Sequence, residues 1–300
     1  MLNKTLFAMG LPDGSAASPP PVLHISAFND ISAFILASIR QEGFTLRIKY
    51  VKNANEAHDD LKRQQADVVF MSYDDTLSMA LQDGYRDIAA FLPIHGGLLD
   101  LCGVLDPASG KNRVGIDTNT GYARALRLYL RTRDPGGYPA LDWQQVGATD
   151  RRYAKLRDGL IDATLLNPPF SYQVGITRIA ALTGNTIIPH YQGVVANLNK
   201  SWWADPSHQS TVRAFVKAYR QTLADMHTQP ETTVTKLMAF YGLPQPVASA
   251  VHARLWQADG LNPATAFDHQ SLAETERVFA QDTGLEVPTI RRWVLEGFGL

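Results

Sequence analysis

Residues 61–79, LKRQQADVVFMSYDDTLSM, and residues 156–174, LRDGLIDATLLNPPFSYQV, repeat one design. Each opens on a helix end, Leu61 or Leu156 followed by a basic residue. An Asp comes next at the same offset (Asp67, Asp162), then a short apolar run, Val68 to Met71 or Ala163 to Leu166. Each run breaks into polar or Pro residues before an amphipathic segment resumes. Two like strand–turn–helix units so far apart predict two like lobes. An apolar run of this length between helical patterns reads as a buried parallel strand. In open parallel sheets a ligand sits outside the carboxyl ends of the strands, where turns feed helix N-termini whose free N–H groups carry partial positive charge. The turns Ser72-Tyr73-Asp74-Asp75 and Asn167-Pro168-Pro169-Phe170 are therefore expected to meet across a cleft.

Three hundred residues exceed the usual size of one core, so two domains are expected. The chain is 45% hydrophobic and 19% charged, as globular proteins are. Lys+Arg 28 against Asp+Glu 29 leaves a net charge of -1 with no basic block, which gives nucleic acid no electrostatic footing. No apolar run approaches the roughly 20 residues that span a bilayer. The single cysteine, Cys102, rules out an internal disulfide and a cysteine-based metal cluster. Residues 1–21, with an apolar patch from Leu6 to Leu11 cut short by Pro12, read as a flexible leader rather than a convincing signal peptide. Either the sequence is a matured or trimmed form, or, if it is full length, the chain is expected to stay in the cytoplasm.

Taken in order, Val22 to Phe28 is a first strand, and Asn29-Asp30 caps a helix from Ile31 to Glu42 that stops at Gly43. Leu46 to Val51 alternates apolar residues with Arg47 and Lys49, a strand with one solvated face. Ile88 to Leu92 and Leu98 to Leu105 are strand-like on either side of a Gly-flanked loop, a crossing point between lobes. Arg113 to Asp117 opens the second lobe, followed by Thr118-Asn119-Thr120-Gly121 and a helix from Tyr122. Trp143 to Gly147 is a short strand, Asp150 caps the helix leading into the second repeat, and Ile187 to Leu198 carries the chain back. From Asp205 onward helical stripes replace strands: Val212, Phe215, Val216, Tyr219, Leu223 and Met226 recur at helical spacing. The reading is an α/β chain with residues 22–105 and 190–300 in a first, discontinuous lobe and 106–189 in a second. Each lobe is a mainly parallel sheet flanked by helices, with a helical C-terminal extension whose Trp202, Trp203, Trp256 and Trp293 pack rather than bind.

This succession, from VLHISAFNDISAFILASIRQEGFTLRIKYV through RVGIDTNTGYARALRLYL to GVVANLNKSWWADPSHQSTVRAFVKAYRQTL, resembles the type-II periplasmic solute-binding proteins. Within that superfamily it is similar to the nitrate/sulfonate/taurine-binding and thiamine-pyrimidine-precursor-binding proteins. The resemblance covers about residues 22 to 255. It implies two lobes joined by two crossovers, closing on a small ligand and delivering it to the membrane permease of an ABC transporter, in the periplasm or cell envelope. Carried over by position, the ligand-facing turns are Ser26 to Asp30, Ser72 to Asp74, Thr118 to Tyr122 and Asn167 to Phe170. The enzymes of this superfamily use a cysteine in the first lobe's early loop or a cysteine-rich motif. SAFND carries none, and one cysteine cannot make the other.

The binding residues so named are Ser26, Phe28, Asn29, Asp30, Ser72, Tyr73, Asp74, Thr118, Asn119, Thr120, Gly121, Tyr122, Asn167 and Phe170, with His95 and His190 as hinge contacts. Thr118 to Gly121 before a helix gathers hydroxyl, amide and backbone N–H donors suited to a carboxylate, sulfonate or carbonyl oxygen, although the same residues cap helices anyway. Asp75 reads as a helix cap, whereas Asp30 or Asp74 is placed to meet a cationic or N–H-rich ligand. Tyr73, Tyr122 and Phe170 read as cleft walls for a flat ligand. Cys102, in the apolar LDLCGVL, reads as a small buried hydrophobe. No HxxxH or HxH spacing supports a metal site, no cofactor is expected, and no GxGxxG, GxxxxGK[ST], GxSxG or HExxH occurs. The expectation is a monomeric solute clamp for a small organic ligand, anionic or planar. The alternatives are an enzyme on the same fold, with His95 or a cleft Asp as acid–base group, and a ligand sensor.

Overall fold

The computed structural model describes residues 19–297, so the expected leader lies outside the described residues except for its last three. The first lobe begins with β1 (Val22–Ala27), α1 (Ile31–Ser38), β2 (Thr45–Tyr50), α2 (Ala54–Lys62), β3 (Val68–Ser72), α3 (Tyr73–Leu77) and β4 (Ile88–Pro93). The chain then crosses to β5 (Asp100–Gly103), β6 (Arg113–Ile116), α4 (Tyr122–Arg133), β7 (Asp142–Gln145), α5 (Thr149–Arg157), β8 (Ala163–Leu166) and β9 (Arg178–Ala181). It returns through β10 (Val194–Asn199) into α6 (Lys200–Trp203), α7 (Pro206–Thr228), α8 (Pro230–Tyr241), α9 (Gln245–Leu255) and α10 (His269–Thr283).

The two sheets share one topology, β2-β1-β3-β10-β4 in the first lobe and β7-β6-β8-β5-β9 in the second. In each sheet one strand, β10 or β5, runs antiparallel to both its neighbours, and the other pairs among the first three strands are parallel. The reason is geometric. The parallel strands end at the cleft, so a strand entered directly from the other lobe starts at the cleft and runs away from it. Both reversed strands are entered that way.

Strand pairing corrects the expected lobe boundary. The segment anticipated as Leu98 to Leu105 narrows to β5, which pairs with β8 and β9, so the first lobe yields the chain before Asp100 and not at 105. The strand anticipated from Ile187 begins only at Val194, because residues 187–193 form the irregular return crossing. There Gly193 passes so close to the outgoing crossing that a Cβ would lie 1.7 Å from Gly96 O. The helix anticipated to Glu42 ends at Ser38, where Ile39 turns extended and keeps its side chain buried. The sequence reading does not include β9 (RIAA), which is four residues long and mostly exposed.

Alternation along β3 divides the first lobe's core. Val68 and Phe70 join Leu23, Phe44 and the buried stripe of α7, whereas Val69 and Met71 face α2 through Ala57 and Leu61. The α7 stripe is the anticipated one, Val212 through Met226, and every member is buried. Phe215 sits at its centre, with ring centroids 6.4 Å from Phe44, 6.5 Å from Phe70 and 6.2 Å from Tyr219. The C-terminal helices do more than wrap the first lobe. In α10, Leu272 and Phe279 pack with Tyr73 and Trp293, while Val278 belongs to the second lobe's core. Beyond α10, Ala90 N donates to Trp293 O and Leu295 N donates to Ala90 O, which covers the free edge of β4.

Because Phe215 is fully buried against Phe44, Phe70 and Tyr219, Phe215→Ala is expected to cost about 3–5 kcal/mol. Urea unfolding followed by circular dichroism measures this, and a loss under about 1 kcal/mol would contradict the packing described.

Candidate functional site

The carboxyl ends of β1, β3, β6 and β8 face one another between the lobes, and the turns after β1, β3 and β6, with the start of α5, supply most of a small, partly open cavity of about 40 Å³. The first lobe contributes Phe28, Asp30, Ser72 and Asp75; the second contributes Asp117, Thr118, Thr120, Tyr122, Thr149 and Arg152. The turns are ordered by their own caps. Asp30 accepts from Ser32 N at 2.9 Å and starts α1, and Ser72 accepts from Asp75 N at 3.0 Å and starts α3.

The lobes touch directly across this cavity. Gly121 N donates to Asp74 Oδ1 at 2.8 Å and Thr120 Oγ1 donates to Asp75 Oδ1 at 2.8 Å. Arg124, one turn into α4, also donates to Asp74, and further to Ser78 Oγ at 2.8 Å and Gln82 Oε1 at 2.6 Å. Negative charge at the start of α4 is favoured by the helix dipole and the free amides there. Only glycine permits the approach. Gly121 has φ +62, and a Cβ on it would meet Asp75 Oδ2 at 3.0 Å and Ser72 Oγ at 3.2 Å. On the far rim Ala54 N donates to Asp117 Oδ2 at 3.1 Å, Ala148 N to Lys52 O at 2.9 Å, and Asn29 Nδ2 to Asp150 Oδ2 at 3.5 Å. The clamp is closed.

Burial sets the protonation of this acid-rich wall. Desolvation raises Asp30 to about 6 and Asp117 to about 6. Desolvation likewise raises Asp74 to about 7, against the opposing pull of the Arg124 guanidinium. Asp75 goes the other way: burial works against its charge, but His58, whose Nε2 lies 3.4 Å away, with Ser72 and Thr120 holds it below the usual carboxylate range.

The anticipated residues divide into three groups. Phe28, Asp30, Ser72, Thr118, Thr120, Gly121 and Tyr122 line the cavity, and Asn29 and Asp74 join the lobes beside it. Asn167 is buried next to the site, accepting from Thr149 Oγ1 at 3.1 Å. The rest do not line it. Ser26 donates to Asp60 Oδ2 at 2.6 Å, inside the first lobe. Tyr73 is not a cleft wall: it turns into the core beneath α10, where its hydroxyl donates to Glu276 and accepts from Trp293 Nε1 at 2.7 Å. Asn119 is exposed, and Phe170 packs against Tyr153 at 5.3 Å. His95 and His190 line a separate cavity behind the crossings, with Arg254 and Asp259. There the buried His95 bonds Gly96 O through Nδ1 at 2.8 Å, and desolvation lowers its imidazole to about 4, so it is neutral near pH 7. Burial likewise pushes the Cys102 thiol up to about 12.

Two anticipated caps are corrected. Ser72, not Asp75, caps α3, which frees the Asp75 carboxylate to cross the cleft. α5 starts after Ala148, and Asp150 lies within its first turn, where it reaches Asn29 of the other lobe. The residues that sequence reasoning missed are Asp117, Thr149, Arg152, Arg124 and His58. Asp117 stands just past the carboxyl end of β6, where strand position alone marks a ligand-facing residue. Arg152 sits near the start of α5, where a cation opposes the helix dipole, itself a sign of some other duty.

No protein-family model matches the chain, and no curated protein matches it by sequence. Solved structures do. A ligand-binding component of an ABC-type import system from Staphylococcus aureus, with zinc bound, superposes with a TM-score of 0.72 at 16% identity, over 93% of this chain and 97% of that one. The alkanesulfonate-binding protein SsuA from Xanthomonas axonopodis pv. citri, bound to MOPS, gives 0.70 at 14% identity, over 93% and 99%. A Candida albicans protein with the generic periplasmic binding protein fold gives 0.67 at 12%, over 92% and 99%. At such identities the likeness defines the fold: this chain has the two-lobe periplasmic binding protein architecture.

Asp30→Asn keeps the α1 cap and removes the charge. A carboxyl whose folded pKa is raised to about 6 from 3.8 contributes stability fully present below 3.8 and lost as pH rises through about 6. The stability of Asp30→Asn relative to the parent is therefore expected to increase by about 3 kcal/mol between about pH 4 and pH 7 and to level off above. A difference independent of pH in thermal unfolding would show that Asp30 titrates normally.

Proposed function

We propose that this chain is the solute-binding component of an ABC-type import system, and that it holds a small organic solute between its lobes for delivery to a membrane permease. The observation that carries this reading is the cleft itself. The strand ends of two topologically identical sheets converge on one small cavity, and both lobes place polar side chains on its wall. Folds similar to it include binding proteins of import systems, among them one that binds alkanesulfonates. Such a role places the chain in the periplasm or cell envelope. It needs no second copy of the chain, because both halves of the cleft belong to one polypeptide. Among the described residues no helix is long and apolar enough to cross a membrane and no cluster of three or more His, Cys, Asp and Glu is arranged to hold a metal ion.

Of the two solute classes that the sequence suggests, a planar one is favoured by Phe28 and Tyr122, whose rings line the cavity from opposite lobes. Transport also requires that the solute bind the closed form better than the open one, since only differential affinity shifts the lobes. The cavity of about 40 Å³ is far below the several hundred Å³ of an ordinary ligand pocket. A solute of ordinary size therefore replaces some of the direct contacts between lobes.

Native mass spectrometry of the freshly purified protein is expected to show a retained small organic adduct. Returning that compound to protein stripped by unfolding and refolding is expected to raise the melting temperature and reduce the radius of gyration in X-ray scattering. A protein that carries no adduct, and that neither compacts nor gains stability with any of a panel of carboxylates, sulfonates, amines and pyrimidines, would end this reading.

A further inference from the structure

Two of the helix N-termini that an anionic solute would use in this cleft, those of α1 and α4, already hold the protein's own carboxylates; α5 starts here as well and has no side-chain cap. At the start of α4, Gly121 N donates to Asp74 and Thr120 Oγ1 to Asp75; at the start of α1, Ser32 N donates to Asp30. The guanidinium on the cavity wall, Arg152, directs donors to Leu165 O, Gly147 O and Thr149 Oγ1, all in its own lobe. Among the described residues, the groups left without partners on the cavity wall include an acid, while the one unpartnered amide beside it, Asn167 Nδ2, lies outside the lining. Asp117 Oδ1 is buried and, among the described residues, has no hydrogen-bond partner; the same is true of the Tyr122 hydroxyl. Asp30 lines the same space. Asp75, which accepts from Ser72 and Thr120 and has His58 Nε2 3.4 Å away, lines the cavity too, so three carboxylates there, Asp30, Asp75 and Asp117, face one guanidinium, Arg152.

On the reading of this cleft as a solute clamp, we propose that its solute is a planar cation, an amidinium, guanidinium or protonated aminoheterocycle. Its N–H groups would bond Asp117 and Asp30, and its ring would lie against Phe28 and Tyr122. A planar cation with paired N–H donors matches carboxylate geometry, and it supplies Asp117 Oδ1 with the partner that this buried acceptor lacks. An anion would instead bring like charge against buried carboxylates and find the amides at the starts of α1 and α4 taken. The raised pKa values of Asp30 and Asp117 agree, since they report acids held in a buried place without enough positive charge to ionise them at their ordinary pH.

The test uses two probes that share a ring and differ in sign, benzamidinium and benzenesulfonate, at millimolar concentration and pH 7.5, read by thermal shift and isothermal calorimetry. Benzamidinium is expected to raise the melting temperature and benzenesulfonate to leave it unchanged. Asp117→Asn keeps an oxygen for Ala54 N, and Asp30→Asn keeps the α1 cap, so both should fold. Each is expected to weaken benzamidinium binding by about tenfold or more. Asp59→Asn, exposed on α2, should leave it intact. Stabilisation by benzenesulfonate alone would overturn the charge assignment and leave the clamp standing. Benzamidinium binding that survives both cleft variants would overturn the assigned residues. If neither probe binds, the proposal falls, and the clamp is then judged by its retained adduct alone.

Discussion

The docking of Asp74 and Asp75 onto the first turn of α4 is the contact on which the closed molecule depends. It joins the lobes on the cleft side, where α10 does not reach, and it does so with buried polar groups. Asp74 is fully buried and Arg124 nearly so. A pair of this kind contributes little net stability over an apolar substitute, yet removing one partner strands the other at a cost of about 3–5 kcal/mol. Its value is therefore geometric. It fixes where α4 meets α3, and Gly121 is the residue that lets the two come that close.

That constraint organises the rest. The matched strand orders place like strand ends on opposite sides of one gap, and the two reversed strands bring both crossings through one narrow waist, where Gly193 lies against Gly96. α10 spans the lobes near this waist. Arg124 lies 4.9 Å above the Phe279 ring, and Arg124 and Arg127 both bond Asp282. The residues that hold the lobes together thus continue from the cleft to the C-terminal helix. Movement of the lobes must bend the crossings while α10 either follows one lobe or yields its contacts with the other.

Much of this was legible in the residues. The paired Asp67 and Asp162 with the apolar runs after them marked β3 and β8, and the alternation in LRIKYV marked β2 as a strand with a solvated face. The turns that line the cavity followed from strand position. Side-chain direction did not. In α3 successive residues point about 100° apart, so Asp74 and Asp75 reach the cleft while Tyr73, their immediate neighbour, turns to Glu276 and Trp293. Asp75 was read as a cap because acids favour helix starts, but Ser72 already fills that role. The bridging by α10 was hidden because a helical stripe gives an apolar face and not its partner, and here adjacent residues Val278 and Phe279 serve different cores.

The direct measurement is the distance between lobes in solution, by double electron–electron resonance with spin labels at Asp59→Cys on α2 and Lys155→Cys on α5. Both positions are exposed, and the native Cys102 is buried. The account predicts one short, narrow distance population in the parent protein and a second, longer one when Asp74→Ala is added. A distribution unchanged by Asp74→Ala would mean that the acid pair on α4 is not what holds the lobes closed.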